Sequence, residues 1–362
     1  MWLPLLIFLA IIGLNVIVSV YLERKLSAFI QDRLGPMEVG KWGILQLIAD
    51  LVKLFQKEDI IPTLADKRMF KIAPYLIFAA IFSGFALFPI NSSMQGAALN
   101  SGLIVILGVI SLDVLGIIMA GWSSNNKYAL LGAVRSISQI LAYEIPMGLC
   151  LLCVAITAGT LNLQEISYQQ GIFATETHYL FDLKITGIKT SEMGGILAWN
   201  IFRNPFLLIV FVIYFISALA EANRAPFDLP EAESELISGY HTEYSGFRWA
   251  ILFLAEYGMM LLLSLLGVVL FLGSWNTPLP NIGTLKLADM TSGIPNELSS
   301  MLWGGFWLFA KAYFLMIIQM WVRWTLPRLR IDQLIHLCWK ILAPFAIFLA
   351  VCSAILKIFT LQ

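Results

Sequence analysis

Charge is what this sequence of 362 residues has least of: 13% of its side chains are Asp, Glu, Lys or Arg, against about a quarter in an average soluble domain. Lysine plus arginine equal aspartate plus glutamate at 23 each, so no global positive field argues for nucleic acid. Cysteine is scarce too. The four present, Cys150, Cys153, Cys338 and Cys352, lie in or beside apolar runs, which argues against a disulfide framework. Cys150 and Cys153 form a lone C-x-x-C with apolar flanks and no second pair nearby, so they read as buried thiols. The three histidines, His178, His241 and His336, have no ligand spacing, and G-x-G-x-x-G, Walker A and H-E-x-x-H patterns are all absent. The chain is expected to hold no nucleotide, no metal and no iron–sulfur cluster of its own.

What it has in excess is apolar length. Hydrophobic residues make up 59% of it, gathered into runs near the ~20 residues that span a bilayer. Eight spans are expected: 2–22, 73–90, 102–121, 140–160, 205–220, 249–272, 300–322 and 340–359. Backbone groups in lipid must satisfy one another, so these are helices, and the ten-residue alternation of a barrel is missing. The reading is an all-α polytopic membrane protein, a single bundle over residues 1–362. Residues 2–22 read as an uncleaved first span, because the cationic cluster at Arg24 and Lys25 follows the run instead of preceding it. Counting by side, the first, third, fifth and seventh connectors carry 17 lysines and arginines and the opposite side 5. By the positive-inside rule the first set faces the cytoplasm and both termini lie on the periplasmic side.

The polar connectors carry the chemistry. The first, 23–72, contains an amphipathic stretch at 42–57 in which Gln46, Asp50, Lys53 and Lys57 recur at helical spacing. It fits a helix at the membrane interface or under the bundle, although a surface helix against another polypeptide remains open. The fourth connector, about 161–204, shows no chemistry, and either a cap over the bundle or a contact with a neighbouring chain would suit it. The fifth, 221–248, is acidic on the side where bases should dominate. It holds Glu221, Asp228, Glu231, Glu233, Glu235 and Glu243 against Arg224 and Arg248. Asp228 and Glu231 flank Pro230 like a capped helix start. Carboxylates clustered beside a low-dielectric bundle repel one another and can exchange protons near neutrality, while a solvated capped loop is the plain alternative.

Three more acids lie inside or at the mouths of spans: Asp113, Glu144 and Glu256. A charge at the bilayer centre costs at least ~2.5–3.5 kcal/mol on insertion scales, so each is expected to face an interior cavity. Glu144 and Glu256 read as better relay candidates than Asp113. The plain alternative is pairing with Lys311, Arg135 or a hydroxyl. The basic seventh connector, with Arg323, Arg328 and Arg330, serves as an anchor, neutralises the acidic connector, or meets a head group.

Together these segments resemble the quinone-site membrane component of respiratory complex I, NADH:quinone oxidoreductase. The most specific element is Glu221-Ala-Asn-Arg-Ala-Pro-Phe-Asp-Leu-Pro-Glu-Ala-Glu-Ser-Glu-Leu, followed by Gly239-Tyr-His-Thr-Glu-Tyr-Ser-Gly246. Supporting it are Glu23-Arg24-Lys25, Arg33-Leu-Gly35-Pro36, Ala49-Asp50-Leu-Val-Lys53, Ala142-Tyr-Glu144 and Trp324-Thr-Leu-Pro-Arg-Leu-Arg-Ile-Asp-Gln333. The resemblance implies eight transmembrane helices, with the first and sixth framing a quinone tunnel beside the amphipathic helix. Arg24, Arg33, Lys53 and Phe227 would line or border that tunnel. Glu221, Asp228, Glu231, Glu233 and Glu235 would belong to the loop linking quinone reduction to proton movement, and Asp50, Glu144 and Glu221 would continue into an acidic path toward antiporter-like subunits. Arg224, Arg323, Arg328 and Arg330 would be supporting bases. Two departures stand out: Met37 occupies the place of the family's usual Asn after Gly35-Pro36, and the fourth connector looks long.

The implied substrate is a quinone, ubiquinone or menaquinone. FMN and iron–sulfur clusters would sit in partner subunits, since this chain would be a non-redox subunit of the translocase. Expected partners are the soluble-arm subunits at the quinone site, small membrane subunits and membrane lipid, in the inner membrane of a bacterial cell. Two alternatives stay open: the anchor of a membrane-bound hydrogenase or formate hydrogenlyase, and a stand-alone ion transporter.

Overall fold

Each apolar run expected to cross a bilayer coincides for most of its length with a helix of the computed structural model, which describes residues 2–92, 94–174, 177–182, 189–229, 238–282, 285–293 and 297–360. The long helices are α1 (Trp2–Ile30), α3 (Lys67–Phe85), α4 (Gly102–Ser123), α5 (Lys127–Ala158), α6 (Leu207–Glu221), α7 (Gly246–Phe271), α8 (Leu298–Thr325) and α9 (Ile331–Thr360). Between the first two lies α2 (Gln46–Gln56), which is too short to span. Six of these are long and apolar enough to cross a membrane by length and composition, and the 15-residue α6 is shorter but strongly apolar. The only strands among the described residues are a two-by-two antiparallel ladder pairing Asn281–Ile282 with Leu285–Lys286.

Several boundaries differ from expectation: α1 runs on to Ile30, α3 covers Lys67–Phe85 where 73–90 was expected, and two helices begin earlier than expected. Helix α5 begins at Lys127, not near 140, capped by the Asn126 side chain accepting from the Tyr128 amide at 2.9 Å. Its first turns read as connector because they carry Ser136 and Gln139. Those groups are instead satisfied by the end of α6: Gln139 donates to the Ala220 carbonyl at 2.6 Å and Ser136 to Asn223 at 3.2 Å. Helix α9 likewise starts before 340, running through a π-helical stretch at Leu337–Leu342.

Helix α7 is the central post, buried over most of its length, with α1, α3, α6 and α8 around it. Close approach of helices in a membrane depends on small residues. At Gly116 of α4 a Cβ would fall 2.3 Å from Ile77 of α3, so no larger residue fits that crossing.

At one end of the bundle the described residues of the connector 161–204 fold back as a cap. Helix ends leave carbonyls without helical partners, and this cap supplies donors for those of α7. Gln170 donates to Val269 at 2.7 Å and Asn200 to Leu270 at 2.8 Å; just past the helix end, Lys311 of α8, outside the cap, donates to Leu272 and Asn276 at 2.7 and 2.8 Å. The Lys311 ammonium also lies 4.8 Å over the Trp199 ring. Lys311 is therefore engaged by backbone carbonyls and an aromatic face, not by the intramembrane acids expected as its partners.

Candidate functional site

The opposite end of the bundle carries the acids and the larger cavities. Helix α2 lies against α1 and α7 there, positioned by a tight lead-in. Gly43 has φ +73°, and a Cβ on it would sit 2.2 Å from the Pro36 carbonyl oxygen, so only glycine lets this loop close. Lys25 of α1 holds the same loop, donating to the Pro36 carbonyl at 2.7 Å and reaching the Met37 thioether at 3.4 Å. Met37, which stands where the resembled family usually has Asn, thus offers its thioether to Lys25.

Between α1, α2 and α7 is a cavity of about 300 Å³. Val16, Ile17 and Val20 form one wall and Trp249 and Phe253 another, while Arg24, Asp50, Lys53 and Lys57 face it from the polar side. Arg24 meets Asp50 at 2.7 Å, and Gln46 donates to the other Asp50 oxygen at 3.0 Å. The expected helical spacing on α2 is therefore real, and it gives an amphiphilic space: apolar length with charge at one side. A neighbouring space of about 290 Å³ shares Leu54, Lys57 and Trp249 and reaches His241, Thr242 and Ser245 of the acidic connector. Beside it Tyr244 stacks on Phe70 with ring centres 4.1 Å apart, and burial pushes its phenol up to about 12, which keeps it a neutral donor.

One turn from the cavity, buried charges form a hub. Glu23 of α1 accepts from Arg323 and from the Tyr257 hydroxyl, and Arg224 approaches it to 3.5 Å. Arg224 also reaches Glu256 of α7 at 3.3 Å and sits 4.2 Å over the Tyr257 ring. Glu23 is 6% exposed and so is Arg224, a depth at which charges persist only when paired. Glu256, expected as a relay acid, is ion-paired here.

Past the hub, Glu256 shares a small cavity of about 20 Å³ with Glu221 and Asp113, room for about one water. Both Glu221 and Asp113 bury an oxygen that lacks a hydrogen-bond partner among the described residues. Glu144 of α5 accepts from Ser111 of α4, the hydroxyl pairing named as its plain alternative, and both Glu144 and Asp113 repel Glu221 electrostatically. Asp113 belongs to the acid cluster as fully as its neighbours do.

The remaining expected residues divide. Arg33 is exposed and bonds Gln31 at 2.7 Å, away from the cavity. Phe227 is buried against Tyr143, ring centres 5.4 Å apart, and does not line the space between α1, α2 and α7. Asp228 meets Arg328 at 3.9 Å while the Leu329 amide donates to the Pro226 carbonyl at 3.1 Å, so the basic seventh connector rests on the acidic fifth. Arg330 pairs locally with Asp332 at 3.6 Å. Glu231, Glu233 and Glu235, with the helix start around Pro230, lie outside the described residues. Missed by sequence reasoning as site residues were Glu23 and Tyr257. The only signal for Glu23 was its place in Glu23-Arg24-Lys25, which reads as an ordinary interfacial cluster. No group of His, Cys, Asp and Glu among the described residues could hold a metal ion.

The sequence matches the profile of the NADH dehydrogenase family over residues 3–354. It is 54% identical over 351 residues to the second NADH-quinone oxidoreductase H subunit of Cytophaga hutchinsonii, covering 96% of each chain. With the NADH-quinone oxidoreductase H subunit of Chlorobaculum parvum it shares 51% over 350 residues, 97% of this chain and 89% of the relative. With the protein of the same name in Anaeromyxobacter dehalogenans it shares 41% over 334 residues, 91% and 75% of the two chains. With eight long helices among its described residues, a polar-faced helix beside its first and seventh α-elements, and this profile matched over residues 3–354, the chain belongs to the NADH dehydrogenase family.

Proposed function

We propose that this chain is the quinone-site membrane component of a bacterial inner-membrane NADH-quinone oxidoreductase, forming the membrane-side wall of the quinone tunnel and the start of a proton route. The relatives' names support the assignment. The observation that carries it is the adjacency of one amphiphilic cavity and one buried acid chain. The cavity between α1, α2 and α7 suits a molecule with a polar ring and an apolar tail: Arg24, Asp50, Lys53 and Lys57 attend the ring, Val16, Val20 and Phe253 the tail.

Reduction of a quinone to a quinol takes two electrons and two protons. The electrons come from partner subunits that carry FMN and iron–sulfur clusters. This chain's residues act on the charge that follows. Arg224 is shared between Glu23 at 3.5 Å and Glu256 at 3.3 Å. A proton placed on Glu23 would release Arg224 toward Glu256, and the altered field would reach Glu221, Asp113 and Glu144 behind it. Low local dielectric makes such a change in pairing consequential over a few ångströms. The acidic residues Glu231, Glu233 and Glu235, which lie outside the described residues, belong to the same proposal by their place in the sequence between Asp228 and His241.

The test is kinetic, in the assembled enzyme. Arg24→Met and Lys53→Met should raise KM for quinone several-fold while NADH oxidation with a hydrophilic artificial acceptor stays at its original rate. Glu221→Gln should lower protons moved per quinone reduced. Normal quinone kinetics in both cation variants, with normal pumping in Glu221→Gln, would overturn the proposal.

A further inference from the structure

A second chamber, of about 370 Å³, lies on the far side of Leu51 and Leu54 from the charged cavity, between α2, α3 and α7. Its volume falls in the range of ~300–1,000 Å³ typical of ligand sites, yet its walls are apolar throughout except for one phenol. Tyr75 and Phe78 of α3 form one side and Ala250 and Leu254 of α7 the other. With no charge and almost no hydrogen-bonding group inside, it suits a hydrocarbon chain and offers a quinone ring nothing to hold.

The polar end of the chamber is written on α3. Residues 68, 71, 75 and 78 are three and four apart, so Arg68, Lys71, Tyr75 and Phe78 lie along one stripe of the helix. The half of that stripe inside the chamber is aromatic and the half beyond it is cationic. Arg68 and Lys71 are exposed, and neither makes an ion pair among the described residues. Asp66, the nearest carboxylate in sequence, is occupied as the helix cap, accepting from the amides of Arg68 and Met69 at 3.0 and 3.4 Å. Two uncompensated cations a turn above an apolar slot match the charge order of an anionic phospholipid, and basic clusters at the ends of transmembrane helices attract such head groups.

We propose that the chamber between α2, α3 and α7 is a binding site for one anionic phospholipid, with an acyl chain between Tyr75, Phe78 and Leu254 and its phosphate on Arg68 and Lys71. The lipid would pack against the face of Leu51 and Leu54 opposite the charged cavity, and so act as a wedge behind α2. This goes beyond the quinone reading: the two spaces share the wall of Val16, Leu51, Leu54 and Phe253, while the lipid is held by Arg68, Lys71, Tyr75, Phe78 and Leu254, none of which lines the charged cavity.

The test uses the intact complex in phosphatidylcholine nanodiscs carrying a trace of phosphatidylglycerol with a photoactivatable acyl chain. Labelling should concentrate on the peptides containing Tyr75–Phe78 and Ala250–Leu254. It should exceed that from an equally photoactivatable phosphatidylcholine at least five-fold, and the excess should vanish in Arg68→Gln/Lys71→Gln. Both substituted positions are exposed, so the variant should fold and assemble. Ala250→Trp, which fills the chamber, should abolish labelling at Tyr75 with the cations intact. Equal labelling by both lipids would overturn the proposal. So would absence of labelling because a neighbouring polypeptide occupies the chamber, and so would displacement of the label by quinone.

Discussion

At the scale of single residues, the hub around Arg224 holds the largest electrostatic stake. Its guanidinium lies between two carboxylates and over a phenol ring, at 6% exposure. Removing one partner of a buried ion pair typically costs about 3–5 kcal/mol, because the other charge is left uncompensated. Arg224→Gln should therefore lower the thermal midpoint of the purified complex markedly. Glu256→Gln on the same background should restore part of the loss, since one of the stranded charges is then gone. A double-mutant cycle read by thermal unfolding checks this. Strict additivity would mean that Arg224 and Glu256 do not interact. The sequence marked Glu256 as unusual, because it is a charge inside an apolar run, and offered Arg224 only as one of two bases in an acidic connector. It could not announce that Glu23 completes the group, because a carboxylate at the mouth of a first helix looks the same whether it meets solvent or an arginine just past the end of α6. Lys311 shows the same limit: backbone carbonyls leave no mark in a sequence, so acids stood out as its partners.

At the scale of elements, α2 was the most legible piece, since its polar residues recur every three or four positions and the structure turns that stripe toward the cavity. The connector 161–204 was the least legible, because its order comes from donors aimed at the carbonyls of α7. Its stability should depend on pH through His178. Burial first, and then the nearby charges of Arg203 and Lys357, push that imidazole down to about 4. Asp182, 3.9 Å from His178, is also 3.4 Å from Arg203, so near neutrality the cation it faces is the guanidinium. A folded-state value below the ordinary ~6.5 means that the fold favours the neutral ring. That contribution is complete above about pH 6.5 and is lost as pH falls toward about 4, to at most about 3 kcal/mol. Hydrogen exchange in peptides covering 177–182 and 189–204 should therefore rise between pH 7 and pH 5, after correction for intrinsic rates. His178→Gln should flatten the response. An unchanged pH response in the variant would assign it elsewhere.

At the scale of the whole molecule, the eight helices were legible because lipid leaves the backbone few choices, and the errors fell where polar side chains continue a helix past the apolar run, as in α5 from Lys127 to Gln139. Which way the bundle points is set by charge outside the apolar runs. By the positive-inside rule, the 17 lysines and arginines on one side against 5 on the other lead us to propose that the acid-bearing end, with α2 and the hub, faces the cytoplasm. This orientation is what the proposed function needs, because partner subunits that oxidise NADH must reach the cavity from that side. Single cysteines read it directly. Lys41→Cys, in the lead-in to α2, and Asn100→Cys, just before α4, are both exposed positions. Of the four native cysteines three are buried and Cys352 is partly buried, so background labelling should be low. A membrane-impermeant maleimide should label Lys41→Cys in inverted vesicles and not in intact spheroplasts, and Asn100→Cys in the opposite pattern. The reverse result would place the charged cavity on the side away from NADH. The quinone-site proposal would then fall, although every distance within the bundle would stand.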